Sequence, residues 1–328
     1  MRIATSQFYI QSSNDMMDVQ ERLSIAQTQA SSGKRINKPS DDPIGASKAL
    51  ILQSQEFSYT QYQRNINSAS NRLQQEEAAY KELEQLMQRV KVLAIQSANT
   101  GISNQQSRVG AAAEAREIEA EMLRLANLKD ANGEYIFAGL EVFTVPYEQP
   151  GNSSNRSTTD ARGLGRIRYH GDDLQRYMDI DPTRRVPYTD PGSDVFGESF
   201  NKSIFGTMDG LIKAFETENT MEGGLGVDSS LELNRKINQL IIDLDEQSKQ
   251  VVVTHASVGA RLQALNQEQR LNTTLQTQYV SIRGDIENVD FAQAATNLTL
   301  EATALQASQL AFVQVRGLSL FNYLTPGR

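Results

Sequence analysis

Residues 69–97, ASNRLQQEEAAYKELEQLMQRVKVLAIQS, carry a heptad pattern that indicates a long α-helix. The pattern advances in alternating steps of four and three residues, and one carboxylate and one hydroxyl interrupt its small and apolar positions. Its members are Ala69, Leu73, Glu76, Tyr80, Leu83, Met87, Val90, Ala94 and Ser97. Asp42 is a good N-cap and Pro43 suits the first helical position, so we predict a helix from residue 43 to about residue 99. Such a helix would be a rod of roughly 85 Å.

The spacing of proline predicts where other helices can run. Five of the eight prolines lie between Pro146 and Pro191, and the long blocks on either side contain none. Because proline is excluded from helix interiors, each Pro-free block can hold long helices. The predicted helices span 104–129, 203–218 and 229–288.

The middle of the chain has a different character. Residues 140–199 are rich in turn signals and contain a short β-type stretch at 167–170, so we predict a β-rich insertion there. Two helical arms separated by an insertion can bury their apolar seams only by folding back on each other. The expected fold class is therefore mainly α with a β-rich insertion: an elongated antiparallel helical rod whose N- and C-terminal segments are paired. The rod domain would comprise 43–139 and 200–289, with 140–199 as an outer domain.

Both ends of the chain are amphipathic, but their apolar seams are narrow. The N-terminal series is Met16, Val19, Leu23, Ala26 and Ala30, and the C-terminal series is Phe291, Ala295, Leu298, Ala302 and Leu305. At about 25 cal/mol per Å², the area that such helices bury against each other barely offsets their ordering entropy. We therefore expect 1–42 and 290–328 to be disordered in the monomer and to fold when neighbouring copies cover them. The alternative is a stable two-helix coil within one chain.

The composition excludes several classes of function. The chain has 328 residues, no Cys, two His and a net charge of −8. Without cysteine there is no disulfide scaffold, thiolate zinc site or cysteine nucleophile. The two histidines, His170 and His255, are too few and too far apart in sequence to favour a metal cluster or a catalytic triad. The acidic balance argues against nucleic acid, and no apolar run is long enough for a membrane span.

Two acidic stretches resemble possible cation-binding sites. Ser40-Asp41-Asp42-Pro43 could bind a cation, but capping of the next helix explains it better. His170-Gly171-Asp172-Asp173 lacks a second histidine or a carboxylate at ligand spacing. The first seven residues, MRIATSQ, also lack the apolar core of a signal peptide. We expect no catalytic, cofactor or metal site, and any export to use another route.

The stretch 32–46, SGKRINKPSDDPIGA, resembles the N-terminal signature of the flagellin superfamily. Its two prolines resemble the branch that forms the junction between hook and filament. Four other stretches agree with this resemblance, namely 1–5, 89–101, 132–139 and 285–308. The resemblance covers roughly 1–140 and 200–328, and the middle block matches only loosely.

This resemblance implies a structural, extracellular role in the bacterial flagellum. Subunits would form a layer between hook-associated protein 1 and the flagellin filament. They would leave the cell through the flagellar type III apparatus, with a cytoplasmic chaperone bound near the C-terminal helix. The terminal helices would stack into an inner tube, the rod would pack laterally and the β-rich domain would lie outside. The predicted assembly residues are Leu23, Ala30, Phe291, Leu298, Leu305, Phe312 and Leu320; their alternative role is packing within one chain.

Two other functions remain open at this point. A flagellin that builds the filament itself is related to the first, although the paired prolines and moderate length argue against it. A cytoplasmic coiled-coil scaffold is compatible with periodicity alone. Localisation separates the scaffold from both flagellar roles.

Overall fold

The structure is a computed structural model that describes residues 2–98, 105–149, 167–197, 199, 202–216 and 226–324. Within these ranges the helices are α1 (Arg2–Ser32), α2 (Pro43–Ala98), α3 (Gln105–Ala126), α4 (Gly192–Phe196), α5 (Ile204–Glu216), α6 (Gly226–Glu287) and α7 (Phe291–Leu324). The strands are β1 (Tyr147–Glu148), β2 (Arg168–Tyr169), β3 (Tyr177–Asp179) and β4 (Arg185–Pro187). β1 pairs with β2 and β3 with β4, both antiparallel. The fold is mainly helical, with small antiparallel sheets in the middle of the sequence.

The predicted helices are confirmed to within a few residues. α2 begins at Pro43, and the Asp42 Oδ1 atom accepts a hydrogen bond from the Gly45 N–H at 2.9 Å, as expected of an N-cap. α3, α5 and α6 occupy the three other predicted spans, and β2 lies in the predicted β-type stretch. The sequence positions of caps and prolines were therefore sufficient to place the helix ends.

The heptad seam of α2 is also confirmed. All nine of its predicted members are buried, including the two polar ones, Glu76 and Ser97. The seven apolar members pack into one hydrophobic cluster with α3, α5 and α6 and with residues of the middle segment. The seam that the heptad spacing predicts is thus a central part of the core.

The chain divides into two compact units. Unit 1 comprises Met1–Thr60 and Thr273–Arg328, and unit 2 comprises Gln61–Asn272. The predicted boundaries at 42/43, 139/140, 199/200 and 289/290 differ from these and remain predictions. Among the residues that the structure describes, no helix combines the length and hydropathy that a membrane span requires.

Unit 2 contains a dense aromatic cluster that joins the middle segment to its helices. Phe137, Tyr147, Phe196 and Phe205 lie within 5.2–5.9 Å of one another in successive ring pairs. Tyr147 also donates a hydrogen bond from its hydroxyl to the Gly192 carbonyl at 2.7 Å. Ring pairs of this kind add specific geometry to the burial of apolar area. Through Tyr147, this cluster attaches β1 to the core of unit 2.

Candidate assembly surface

In unit 1, α1 packs along α7. Val19 and Ala26 are buried, whereas Met16, Leu23 and Ala30 are half-buried. This is the seam predicted for the N-terminal segment. The Arg22 Nε atom lies 3.3 Å from Glu301 Oε2, so an ion pair also joins the two helices. The two ends of the chain therefore meet along one face of each helix.

The face of α7 that lies against α1 contains a different set of residues from the predicted C-terminal series. The less exposed positions of α7 are Ala294, Leu298, Glu301, Ala304, Leu305, Ser308 and Phe312. Leu298 and Leu305 belong to both series, but Ala295 and Ala302 are exposed. Both series have spacings of three and four residues, and small residues are common in both, so the sequence alone does not choose between them. Glu301, which pairs with Arg22 of α1, belongs to the series that begins at Ala294.

The predicted assembly residues fall into three groups. Leu23, Ala30, Leu298, Leu305 and Phe312 are half-buried along the α1–α7 pair. Phe291 is 66% exposed at the start of α7. Leu320 lies in α7, but its side chain is outside the part of the chain that the structure describes. The structure thus brings five of the seven together within one chain, and their role between chains stays a prediction.

A short connection fixes where the helix pair begins. α1 ends at Ser32, and the next residue, Gly33, has a φ of +70° that suits glycine; its N–H donates to the Gln29 carbonyl at 3.0 Å. The Gly33 carbonyl accepts a hydrogen bond from the Val289 N–H at 3.0 Å, and the Glu287 carbonyl accepts one from the Arg35 N–H at 2.6 Å. These bonds join the end of α1 to the residues before α7, so the helices start in register.

The outward face of α7 was missed in the sequence. It carries a shallow groove of about 640 Å³ that is lined by Thr296, Thr299, Leu300, Thr303, Ala304 and Ala307, of which Ala304 is half-buried and also belongs to the less exposed series. Each of the three threonine hydroxyls donates to the backbone carbonyl four residues earlier, which leaves the γ-methyl groups to form the surface. Leu300 and Leu310 are 62% and 72% exposed. The available signal was the lack of charge, since Glu301 is the single charged residue between Phe291 and Gln314.

A second exposed apolar face lies on the part of α2 that belongs to unit 1. Ile44, Leu50, Ile51 and Phe57 are all at least 60% exposed. Lys48 and Glu56 are the charged residues between Ile44 and Phe57, whereas Ala49 and Tyr59 on the opposite side are buried. Large apolar side chains exposed close together on a helix are a candidate interaction surface.

The acidic turn at 40–43 serves local structure. Asp41 Oδ2 accepts the N–H groups of Asn37 and Lys38 at 3.0 and 2.8 Å. Hydrogen bonds from Lys38 and Asn37 lower the pKa of Asp41, and the bond from Gly45 lowers the pKa of Asp42. The capping interpretation is therefore confirmed.

The two histidines have different surroundings. His170 is exposed beside β2, whereas the His255 Nδ1 atom lies 2.8 Å from Glu84 Oε1 in unit 2. Within the described ranges, no group of three or more histidine and carboxylate side chains is placed to hold a metal ion.

Comparison with known proteins agrees with this architecture. Residues 3–141 match the family model of the bacterial flagellin N-terminal helical region. Flagellar hook-associated protein 3 of Escherichia coli is 27% identical, over 98% of this chain and 99% of that protein. Flagellar hook-associated protein 3 of Salmonella typhimurium is 24% identical over the same shares. The crystal structure of flagellar hook-associated protein 3 from Legionella pneumophila aligns with a TM-score of 0.61 and 17% identity, over 72% of this chain and 98% of that one. The chain therefore has a flagellin-like helical fold and is similar over nearly its whole length to flagellar hook-associated protein 3.

Proposed function

We propose that this protein is a structural subunit of the bacterial flagellum that joins the hook to the filament and assembles through its terminal helices. The similarity to hook-associated protein 3 extends over nearly the whole of both chains, which supports the junction role. The observation that carries the assembly mechanism is the uncharged outward face of α7. A helix that is paired on one side and apolar on the other needs a second partner.

The energetics favour many simultaneous contacts over a single one. Covering four large apolar side chains, such as those exposed on α2, contributes about 8 kcal/mol at roughly 2 kcal/mol each. Bringing two chains together costs about 4–15 kcal/mol in lost freedom of motion. Burial of one apolar face therefore only roughly offsets the free-energy cost of bringing two subunits together. A closed layer, in which each subunit uses the α7 face and the α2 face at once, is stable where a dimer is not.

The same argument divides the predicted residues by role. Leu23, Ala30, Leu298, Leu305 and Phe312 hold α1 against α7 within a subunit. Phe291 and Leu320 contact neighbouring subunits together with the outward groove. The terminal segments gain little from pairing alone, so they are disordered before assembly and are ordered by their neighbours.

The proposed partners are other copies of this chain, hook-associated protein 1 on one side and flagellin on the other. The protein reaches the outside of the cell through the flagellar type III apparatus. Before export, a cytoplasmic chaperone covers the C-terminal helix, because its outward face would otherwise expose apolar surface to water.

Gene deletion tests the junction role. The deletion strain is expected to assemble hooks, to lack filaments and to secrete flagellin monomer into the medium. In sheared wild-type flagella the protein should be present at far below the abundance of the filament subunit. An abundance equal to that of the filament subunit would instead favour a filament flagellin, and recovery in the cytosol alone would favour a coiled-coil scaffold.

A pair of charge substitutions on α7 tests the assembly surface. Leu300→Asp places a charge in the outward groove without touching the α1 side, and it should abolish motility and filament attachment. The purified variant should keep the helicity of the wild type. Asn297→Asp adds the same charge beside the groove and should leave motility unchanged. Equal loss of motility in both variants would contradict the assignment of this face.

Leu298→Asp completes the comparison, because it places the charge on the α1 side of the same helix. It should also abolish filament attachment while unit 2 stays folded. Loss of the helicity of the whole protein would contradict the division of roles between the ends and the rest of the chain.

A further inference from the structure

Two carboxylates lie deep inside unit 2, in the same part of its core. Glu76 of α2 and Asp190, which precedes α4, are 0% and 1% exposed. Asp190 Oδ1 accepts hydrogen bonds from Arg261 Nη1 at 2.8 Å and from Gln175 Nε2 at 2.9 Å. Glu76 Oε1 accepts a longer one, 3.4 Å, from the Asp190 N–H. The two acids therefore share one small region of the core.

The neighbouring cations are committed to other acids. Arg72 donates to Asp130 Oδ2 at 2.9 Å and to the Tyr135 carbonyl at 2.9 Å. Arg176 donates to Glu134 Oε2 at 2.7 Å. Arg72 and Arg176 thus balance Asp130 and Glu134, and Arg261 balances Asp190. Glu76 is left without a cation of its own, and a buried unpaired carboxylate is strongly unfavourable.

Unmet hydrogen-bonding capacity marks the same place. Glu76 Oε2, Asp190 Oδ2 and the Tyr80 hydroxyl are buried and have no hydrogen-bond partner among the described residues. Two acceptor oxygens without a donor are costly when both acids are ionised. A proton on Glu76 removes one of the two negative charges.

The charged and titratable groups around Glu76 come from every element packed on it. Arg72 and Tyr80 lie on α2, and Arg261 and His255 lie on α6. Asp190 precedes α4, and Asp194 lies in α4. Burial, followed by the charge of Asp190, raises the pKa of Glu76 well above its usual range, and the two arginines oppose this shift. Burial likewise keeps the Tyr80 hydroxyl protonated by raising its pKa.

We propose that Glu76 is protonated in the folded protein, and that this neutral acid fastens segment 188–191 to α2 and α6. The segment lies at the junction of β4 and α4, and Asp190 is its link to both helices through Glu76 and Arg261. Loss of the proton leaves two buried negative charges beside Arg261 and Arg72, and Arg72 is already paired with Asp130. The segment then loosens, which makes the cluster a pH-sensitive lock inside unit 2.

The sign of the pH effect follows from the direction of the Glu76 shift. A carboxyl whose pKa is raised in the folded state contributes stability that is fully present below its unfolded pKa, about 4.3, and is lost as the pH rises through the folded value. One proton changes the equilibrium between closed and open states up to tenfold for each pH unit in that window. The lock is thus closed at low pH and opens as the pH rises.

Hydrogen exchange of the full-length protein tests this proposal. The protection factor of the peptide around 188–192, corrected for the intrinsic exchange rate at each pH, should fall up to tenfold per pH unit as the pH rises above the unfolded pKa of about 4.3. Glu76→Gln keeps the shape and removes the titration, so its protection should stay level. The exposed neighbour Glu77 supplies the control, and Glu77→Gln should follow the wild type. Parallel curves for the wild type and Glu76→Gln would overturn the proposal.

An infrared measurement gives a second readout that does not depend on how a variant folds. At pH 7 the wild type should show the carbonyl band of a protonated carboxylic acid. Glu76→Gln removes the proposed proton site, so that band should be weaker or missing in this variant. A wild-type spectrum at pH 7 without the band would also overturn the proposal.

Discussion

Single backbone positions decide how the middle segment of unit 2 is attached. Gly139 has a φ of +66°, and the Asp172 N–H donates to the carbonyl of the preceding residue, Ala138, at 3.1 Å. A Cβ atom at position 139 would overlap the carbonyl oxygen of Asp172. Both the backbone conformation and the space therefore require glycine there. The close approach holds the loop after α3 against the residues that follow β2.

Gly139→Ala is accordingly expected to destabilise the protein by about 2 kcal/mol or more, since it combines left-handed strain with a backbone collision. Gly110→Ala is the matched control, because nothing lies within 4 Å of the added methyl group in α3. That control should raise the free energy of unfolding by about 0.5–1 kcal/mol. Urea denaturation followed by circular dichroism measures both. A Gly139→Ala protein as stable as the control would contradict the described contact.

At the scale of elements, the ends of the long helices are set by local chemistry and their faces by packing. Asp42 and Gly33 bound a short turn between α1 and α2, and each makes the hydrogen bond that its position requires. Along α7, by contrast, the sequence allows two registers and the contact with α1 selects one. The ends of these helices are thus more predictable than the faces they bury. A cap depends on a few neighbouring residues, whereas the buried face of a helix depends on the other helix that packs against it.

The cap of α2 offers a test at this scale. Asp42→Ala should loosen the first turn of α2 and lower the melting temperature, whereas Asp42→Asn, an equally good cap, should change it little. The pKa of Asp42 is lowered in the folded state, so its contribution is present at neutral pH and is lost as the pH falls through the folded value. The wild type should therefore approach Asp42→Ala in strongly acidic solution. A constant difference between the two down to pH 2 would contradict this role.

At the scale of the whole molecule, the two units differ in how much apolar surface they bury. Among the described residues, the buried apolar side chains of unit 1 are Val19, Ala26, Ile36, Ala49, Tyr59 and Ala294. Unit 2 holds the large cluster around α2, α3, α5 and α6 together with the aromatic group. Since burial is the main favourable term in folding, unit 2 should be much the more stable of the two.

Hydrogen exchange and limited proteolysis of the soluble monomer should reveal this difference. Peptides from α1 and α7 should exchange orders of magnitude faster than those from the buried seam of α2. Proteases should trim the chain before about residue 40 and after about residue 290. Assembly into flagella should then protect both ends. Ends that resist trimming and exchange as slowly as unit 2 would contradict disorder in the monomer.

The sequence by itself determined the helices of this protein, because spacing, caps and prolines act over a few residues. The positions of α2, α3, α5 and α6, the buried seam from Ala69 to Ser97 and the capping role of Asp42 were all predictable for that reason. Only the tertiary structure decided which face of α7 meets α1, since its small residues allow either register. It alone also brought Glu76 beside Asp190, because the two residues are 114 positions apart and meet through the packing of α2 against the middle segment.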